Sequence, residues 1–451
     1  MKINLTCLEV LLFVLCLSLT VLWLKYGKKL KRWWKEWRKR RRGPRQLRPR
    51  EPGDCPECAR GYHRLPRRPR PDVVPWSEIR DPRGAKKQID TRGYACLYIW
   101  CKYFGNTDPA VHALVGDGCR GVNKDIQYLR CQCCGKRKTS RAGTPMYRIK
   151  TPLHEMAQVM TALAEGLDIS AACRVFGYHH ATISGWLERA GQHGAQLQER
   201  VFFQAIRAGH IQLDELVTKV KNKAQKLWVW TAITAKSKLI VALHIGGRAI
   251  EDACSLFHQI RLALAPGCLP VFTTDGLDQY FHGMTAHFGY WDKPPRARKY
   301  HWFPDEDLQY AQLLKSRHGR KVKFLYSVIR LGTRDAIRAM LQALELSGLV
   351  QTSYVERANL TLRELIAPLS RRTWSLAYDV YHLWLHIQWG LTYYHFCRVH
   401  QSLDVRIRGP SRCRHRTPAM AAGLTRRQWS VAHILLTPVP EEGWLAPFPV
   451  A

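Results

Sequence analysis

"LPVFTTDGLDQY", Leu269 to Tyr280, decides how this chain is read. Pro270 to Thr274 has the composition of a short buried strand, and it delivers Asp275 at its end, with Gly276 behind it to let the chain turn away. An acid at the end of a buried strand calls for a partner. Upstream, "HIQLDELVTK", His210 to Lys219, reads as a strand closing with Asp214 and Glu215. "LWVWTAIT" and "KLIVALHIGG" read as two more strands, and "IEDACSLFHQIRLAL" as a helix.

Three strands, a helix and a strand, with an acid on the first and fourth strands, is the order of an RNase H-like sheet. There the two acidic strands lie side by side, so Asp214 and Asp275 can share a divalent cation. Two metals clamping a phosphodiester need converging carboxylates, with a third acid brought in by a later helix. "VERANLTLREL", Val355 to Leu365, offers Glu356 and Glu364. They sit about two turns apart on a similar helical face, and periodicity does not choose between them.

Composition narrows the partner. Lys plus Arg outnumber Asp plus Glu by 71 to 35, a net charge of +36, which favours a polyanion: nucleic acid first, an anionic membrane surface second. At 451 residues and 46% hydrophobic, the chain is long and apolar enough for two or three domains and is not generally disordered. Among its fifteen cysteines the regular spacings are close pairs of the metal-holding kind, which argues for a reducing compartment over a disulfide framework.

The amino-terminal end reads differently. "VLLFVLCLSLTVLWL", Val10 to Leu24, is apolar and is followed by the basic "KKLKRWWKEWRKRRR". Extended to residues 8–24 it approaches the roughly 20 residues of a spanning helix, and the positive charge behind it places the body on the cytoplasmic side. The expectation is an uncleaved inner-membrane anchor over residues 1–25, competing with an upstream extension of the reading frame. Residues 26–92 read as a basic linker rich in Pro and Arg. Cys55 and Cys58 in "CPEC" lack a matching second pair.

"CLYIWC" supplies Cys96 and Cys101, and "CQCCGK" supplies Cys131 and Cys134 with Cys133 between them. Two such pairs can meet around one tetrahedral zinc, the glycine after the second allowing a tight turn. Residues 93–150 therefore read as a zinc-ribbon-like DNA-binding domain. "DISAACRVFGYHHATISGWLERAG" then follows helix-turn-helix grammar over residues 151–205. Asp168 or Ser170 can cap a short helix carrying Ala171, Ala172, Val175 and Phe176, and Gly177 allows the turn. Thr182, Ile183, Trp186 and Leu187 form the inward face of the next helix. Tyr178, His179, His180 and Ser184 fall near its start, the end that contacts base edges in such motifs.

An ordered set of strings carries a resemblance: "HALVGDG", "TPMYRIKTP", "RVFGYHHATISGWLERAG", "QLDEL", "FTTDGLDQYF", "VERANLTLR", "YYHFCRVHQSL" and "RTPAMAAGLT". From about Cys96 onward the chain resembles bacterial insertion-sequence transposases of the IS1-like group. The resemblance implies catalytic acids at Asp214, Asp275 and Glu356, leaving Glu364 as a surface charge. It also implies DNA or active-site contacts from Arg398 and His400. The stretch "HWFPDEDLQYAQLLKSRHGRKVKFLYS" matches the family only loosely.

The expected architecture is thus a multi-domain α/β chain, with an RNase H-like DDE catalytic domain over residues 206–405 and a tail over 406–451. The expected activity is Mg²⁺-dependent cleavage at element ends and strand transfer into target DNA. It would use two Mg²⁺ ions held by Asp214, Asp275 and Glu356, a structural Zn²⁺, DNA with terminal inverted repeats, and at least a homodimer. The alternatives are a catalytically inactive DNA-binding regulator and a nuclease without strand transfer.

Overall fold

The computed structural model describes residues 73–79, 91–98, 100–121, 126–221, 225–295, 299–318, 321–407 and 413–439. The expected anchor over 8–24, the basic tract, and Cys55 and Cys58 lie outside them. Among the described residues no helix is long and apolar enough to cross a membrane.

The chain is mixed α/β. Strands β1 (Leu114–Arg120), β2 (Ile126–Cys131) and β3 (Arg137–Thr139) form a small antiparallel sheet in that order. Three helices follow. In α1 (Leu153–Ala164), Met156, Val159, Met160 and Leu163 recur at the helical period and are buried as one stripe. Helix α2 (Ile169–Phe176) is capped by Asp168, whose side chain accepts from Ala171 N at 2.8 Å, and ends at Gly177 with φ +73°. Helix α3 (His180–Leu197) buries Ile183, Trp186 and Leu187 as expected. The short α2 buries only Ala172 fully, and its Val175 is 67% exposed.

The main sheet comprises β4 (His210–Val220), β5 (Gln225–Thr234), β6 (Ile240–Gly246), β7 (Val271–Thr274), and, beyond a separate hairpin of β8 (Gly289–Asp292) and β9 (His301–Pro304), β10 (Tyr310–His318) and β11 (Lys321–Leu331). Its order is β11-β10-β7-β4-β5-β6. β7 runs parallel to both β4 and β10, while β4-β5, β5-β6 and β10-β11 are antiparallel. The connection from β6 to β7 passes through α4 (Ile250–Ala263), which packs with α5 (Gln279–His287). Helix α6 (Arg334–Ala343) packs Ile337 and Leu341 against Val271 and Ala311. Helix α7 (Ser353–Leu365) packs Val355, Ala358 and Leu362 with Leu216, Val220 and Val229 of the sheet.

β4 does not close at Glu215. The alternation Leu216, Thr218, Val220 keeps burying every second residue and pairs with β5 as far as Gln225, so both acids sit in mid-strand.

Helix α8 (Val380–Phe396) is apolar nearly all round, as a helix between two cores must be. Leu383, Ile387, Leu391 and Tyr394 enter the core with α7 and the sheet, while Trp389 and Phe396 enter the core of α1 to α3. His395 ties the two together: Ile240 N donates to its Nε2 at 3.1 Å, and its Nδ1 meets Gln198 Oε1 at 2.6 Å.

Within the expected tail over 406–451, the described residues 413–439 pack into the fold. Ala419 and helix α9 (Val431–Leu436) complete the core of α1 to α3, with Val431, Ile434 and Leu435 buried there. Trp429 stacks on Phe396 with ring centroids 5.2 Å apart, and His193 Nε2 lies 3.2 Å from Ile434 O. Short apolar runs without period carry no packing signal in the sequence until a core exists to receive them.

Candidate functional site

Register places the acids. Gln212 of β4 pairs with Thr273 of the parallel β7, and Asp214 and Asp275 each stand two residues further on. β7 stops at Thr274, opening a cleft at its carboxyl end between β4 and β10, where open α/β sheets commonly bind ligands. Asp275 is held by its own turn, its Oδ1 accepting from Leu277 N at 3.1 Å. Gly276 does not make a left-handed turn; it lies close to the Leu314 side chain, whose Cδ2 would have to shift for a Cβ there.

Gln212 also fixes α7. Its buried Oε1 accepts from Tyr354 N at 3.0 Å and Val355 N at 3.1 Å, satisfying two amides of the first turn that Thr352 leaves uncapped. One side chain of β4 therefore anchors the helix that carries Glu356. This role was not read from the sequence. A Gln two residues before a strand Asp carries no signal until the helix is in place.

Asp214, Asp275 and Glu356 all line one open cavity of about 800 Å³. The tightest carboxylate cluster among the described residues is a different trio. Oxygen atoms of Asp214, Glu215 and Asp275 lie within 4.8 Å of one another. Glu215 was missed as a site residue, although the adjacent "DE" was its signal. Its side chain is 3% exposed and pairs with Arg248, and Tyr280 Oη donates to it at 2.9 Å. Glu356 is instead engaged by Lys315 Nζ and by Thr352 Oγ1 at 3.1 Å, with its side chain 46% exposed. Arg363 and Arg371 complete the basic lining.

Burial governs the electrostatics. It pushes the Asp214 carboxyl up to about 7, helped by Glu215 and Asp275 alongside. It also raises Glu215, against the pull of Tyr280 and Arg248, and Asp275, against the pull of Leu277 N–H, Arg248 and Lys315. Clustered, desolvated carboxylates of this kind are unfavourable as a bare set and suit a divalent cation.

The cysteines form a second candidate centre. The sulfurs of Cys96, Cys101, Cys131 and Cys134 lie within 4.8 Å of one another, with Cys96 to Cys134 at 3.6 Å and Cys101 to Cys131 at 3.8 Å. Three are buried, beside Tyr103, Ala113 and Leu114. Gly135 turns with φ +71°, and its N–H donates to Cys131 O at 2.8 Å. Cys131 is pulled down to about 5, first by the Cys96 thiol and then by the N–H groups of Cys134 and Cys133; burial pushes Cys101 up to about 12. Four soft donors at this spacing can hold a metal such as zinc.

The remaining expected contacts separate. His179 and His180 are exposed at the start of α3, with His180 Nδ1 3.4 Å from Ser184 Oγ. Tyr178 is half-buried, its ring edge-on to Trp186 at 4.8 Å and its hydroxyl donating to Glu155. Its ring and hydroxyl are thus engaged in packing α1 against α3. Arg398 and His400 do not line the carboxylate cavity. Arg398 faces Glu364 at 4.0 Å, and His400 Nδ1 lies 2.9 Å from Ser402 Oγ. Glu364 is 70% exposed. In comparisons with known proteins, no family model and no curated protein matches the chain.

Proposed function

We propose that this protein is a DDE transposase with an RNase H-like catalytic domain, of the insertion-sequence type its motifs resemble. The observation that carries the reading is the matched register of Asp214 and Asp275 on parallel neighbouring strands, with Glu356 delivered to the same cavity from a later helix. The order β6-β5-β4-β7-β10, with one crossover helix before β7, supports the RNase H-like assignment. The fit to cations rests on the donor set: converging, desolvated carboxylate oxygens of Asp214, Glu215 and Asp275, with Glu356 on the cavity wall.

Asp214, Asp275 and Glu356 would hold two Mg²⁺ ions, which when bound supply charge stabilisation for attacking and leaving oxygens of a phosphodiester. The chain's own groups prepare the rest. Lys315, Arg248, Arg363 and Arg371 offer cationic contacts to DNA phosphates around the cavity. For Glu356 and Glu215 to reach a cation, Lys315 and Arg248 exchange those carboxylates for phosphate oxygens. The Cys96, Cys101, Cys131 and Cys134 set would be a zinc-ribbon-like knuckle, and α2 with α3 a helix-turn-helix presenting His179, His180 and Ser184 to the terminal repeats. The DNA partner, the pairing of two ends by a dimer and the bacterial cytoplasmic setting belong to the same proposal.

A second reading, a DNA-binding regulator without catalysis, draws on the ion pairs that already occupy Glu215 and Glu356. The test incubates the full chain with Mg²⁺ and labelled DNA from the flanks of its own gene, beside Asp275→Asn. Nicked 3′ ends and joined products from the unaltered protein alone are expected. Sequence-specific binding with no cut product from either protein would replace the transposase by the regulator, and cut but unjoined ends would leave a nuclease.

A further inference from the structure

Asn359 lines the carboxylate cavity and has no task in the function proposed above. It stands on α7 three residues after Glu356, hence on a neighbouring part of the same helical face, and is 6% exposed. Its Nδ2 donates to Asp214 Oδ2 at 3.0 Å. The amide is oriented by chemistry: turned over, it would set its carbonyl oxygen against the carboxylate. Oδ1 is buried and, among the described residues, receives no hydrogen bond.

A buried amide oxygen without a donor is unfavourable, and native structures leave few such atoms without a bound water or ion to account for them. Here the orphan belongs to a side chain already bonded to one carboxylate of a cluster of three. Its i+3 relation to Glu356 means that α7 contributes two oxygen-bearing side chains to one cavity. Hard divalent cations take neutral amide oxygens together with carboxylates.

We propose that Asn359 is a positioning residue of the carboxylate site: its N–H fixes the orientation of Asp214, and its Oδ1 is a neutral oxygen donor toward the divalent cation. The inference rests on the reading of this cleft as a cation site. It adds a neutral oxygen-bearing residue to the site, beside Asp214, Glu215, Asp275 and Glu356. Asn359 therefore acts on how tightly and in what geometry the cation is held, before any DNA is present.

The test measures Mn²⁺ binding to the zinc-loaded full chain by the loss of the free-ion electron paramagnetic resonance signal, without DNA. Asn359→Leu removes both amide atoms. Asn359→Ser is too short to reach Asp214 and guards against a variant that misfolds. Both are expected to bind Mn²⁺ about 10- to 100-fold more weakly than the unaltered protein, the usual effect of removing a group that orients a metal ligand. Asp275→Asn serves as the control for the site itself. If the Asn359 variants bind as the unaltered protein does while Asp275→Asn does not, Asn359 has no role toward the cation and the proposal is overturned with the site intact. If Asp275→Asn also binds unchanged, the cation site falls and the proposal with it.

Discussion

The cysteine cluster and the carboxylate cleft are built in opposite ways. The cysteines come as two short-range pairs, and their sulfurs sit in a small core of Tyr103, Ala113 and Leu114 as if they were apolar side chains. The carboxylates come from β4, the end of β7 and α7, and two of them are held by basic residues from elsewhere, Arg248 and Lys315. The first arrangement is four soft donors gathered in a core that could hold a metal. In the second, the crowding of charge is offset by cationic side chains already paired with Glu215 and Glu356.

The largest expected effect breaks the first half of this comparison. Cys131→Ser, or stripping with a strong chelator, is expected to unfold the segment from about residue 91 to 139 while the main sheet survives, since structural zinc contributes on the order of 10 kcal/mol in small domains. Hydrogen exchange read by mass spectrometry would show it as lost protection in β1 to β3 alone. Unchanged protection there would mean the small core needs no metal.

A smaller effect sharpens the second half. Gln212→Leu removes the acceptor for two buried first-turn amides of α7 and is expected to lower stability by about 2–4 kcal/mol in a denaturant titration. It should also loosen the placement of Glu356. A loss under about 0.5 kcal/mol would show that α7 is held by its apolar face alone.

The smallest effect has the opposite sign. Asp214 is raised to about 7 from an ordinary 3.8, so the folded protein binds the extra proton between those values, and the group's contribution to stability falls as pH rises through that window. Asp214→Asn should therefore stabilise the cation-free protein at pH 8, by on the order of 1–3 kcal/mol, and make little difference at pH 4. Equal melting temperatures at pH 8 would place the strain elsewhere.

Legibility in the sequence follows the same divide. Local features were readable from spacing: the Cys96 to Cys101 and Cys131 to Cys134 pairs, the Asp168 cap, the Gly177 turn and the strand ending in Asp275. Asp214 became a partner of Asp275 only through a strand order inferred over about sixty residues. Glu215, Gln212, Asn359 and Lys315 were not identified, because each matters through a neighbour that only the sheet and α7 bring near. Tyr178 was given to DNA because its position near a helix start is visible in sequence, whereas the Trp186 ring and the Glu155 carboxylate that occupy it are not. The part the sequence obscured most was the carboxyl-terminal segment.

That segment has a consequence for how the protein comes into being. The core around α1 to α3 is closed by α9, and the contact from His193 to Ile434 spans 241 residues. At roughly 5–20 residues per second, a ribosome that has finished α3 needs on the order of 10–50 s to supply the helix that seals it. Through that interval the core of α1 to α3 lacks Val431, Ile434 and Leu435. A nascent chain cut short before Val431 leaves that core open to chaperones and proteases, so α1 to α3 reach their final packing only in molecules that have already translated the whole main sheet.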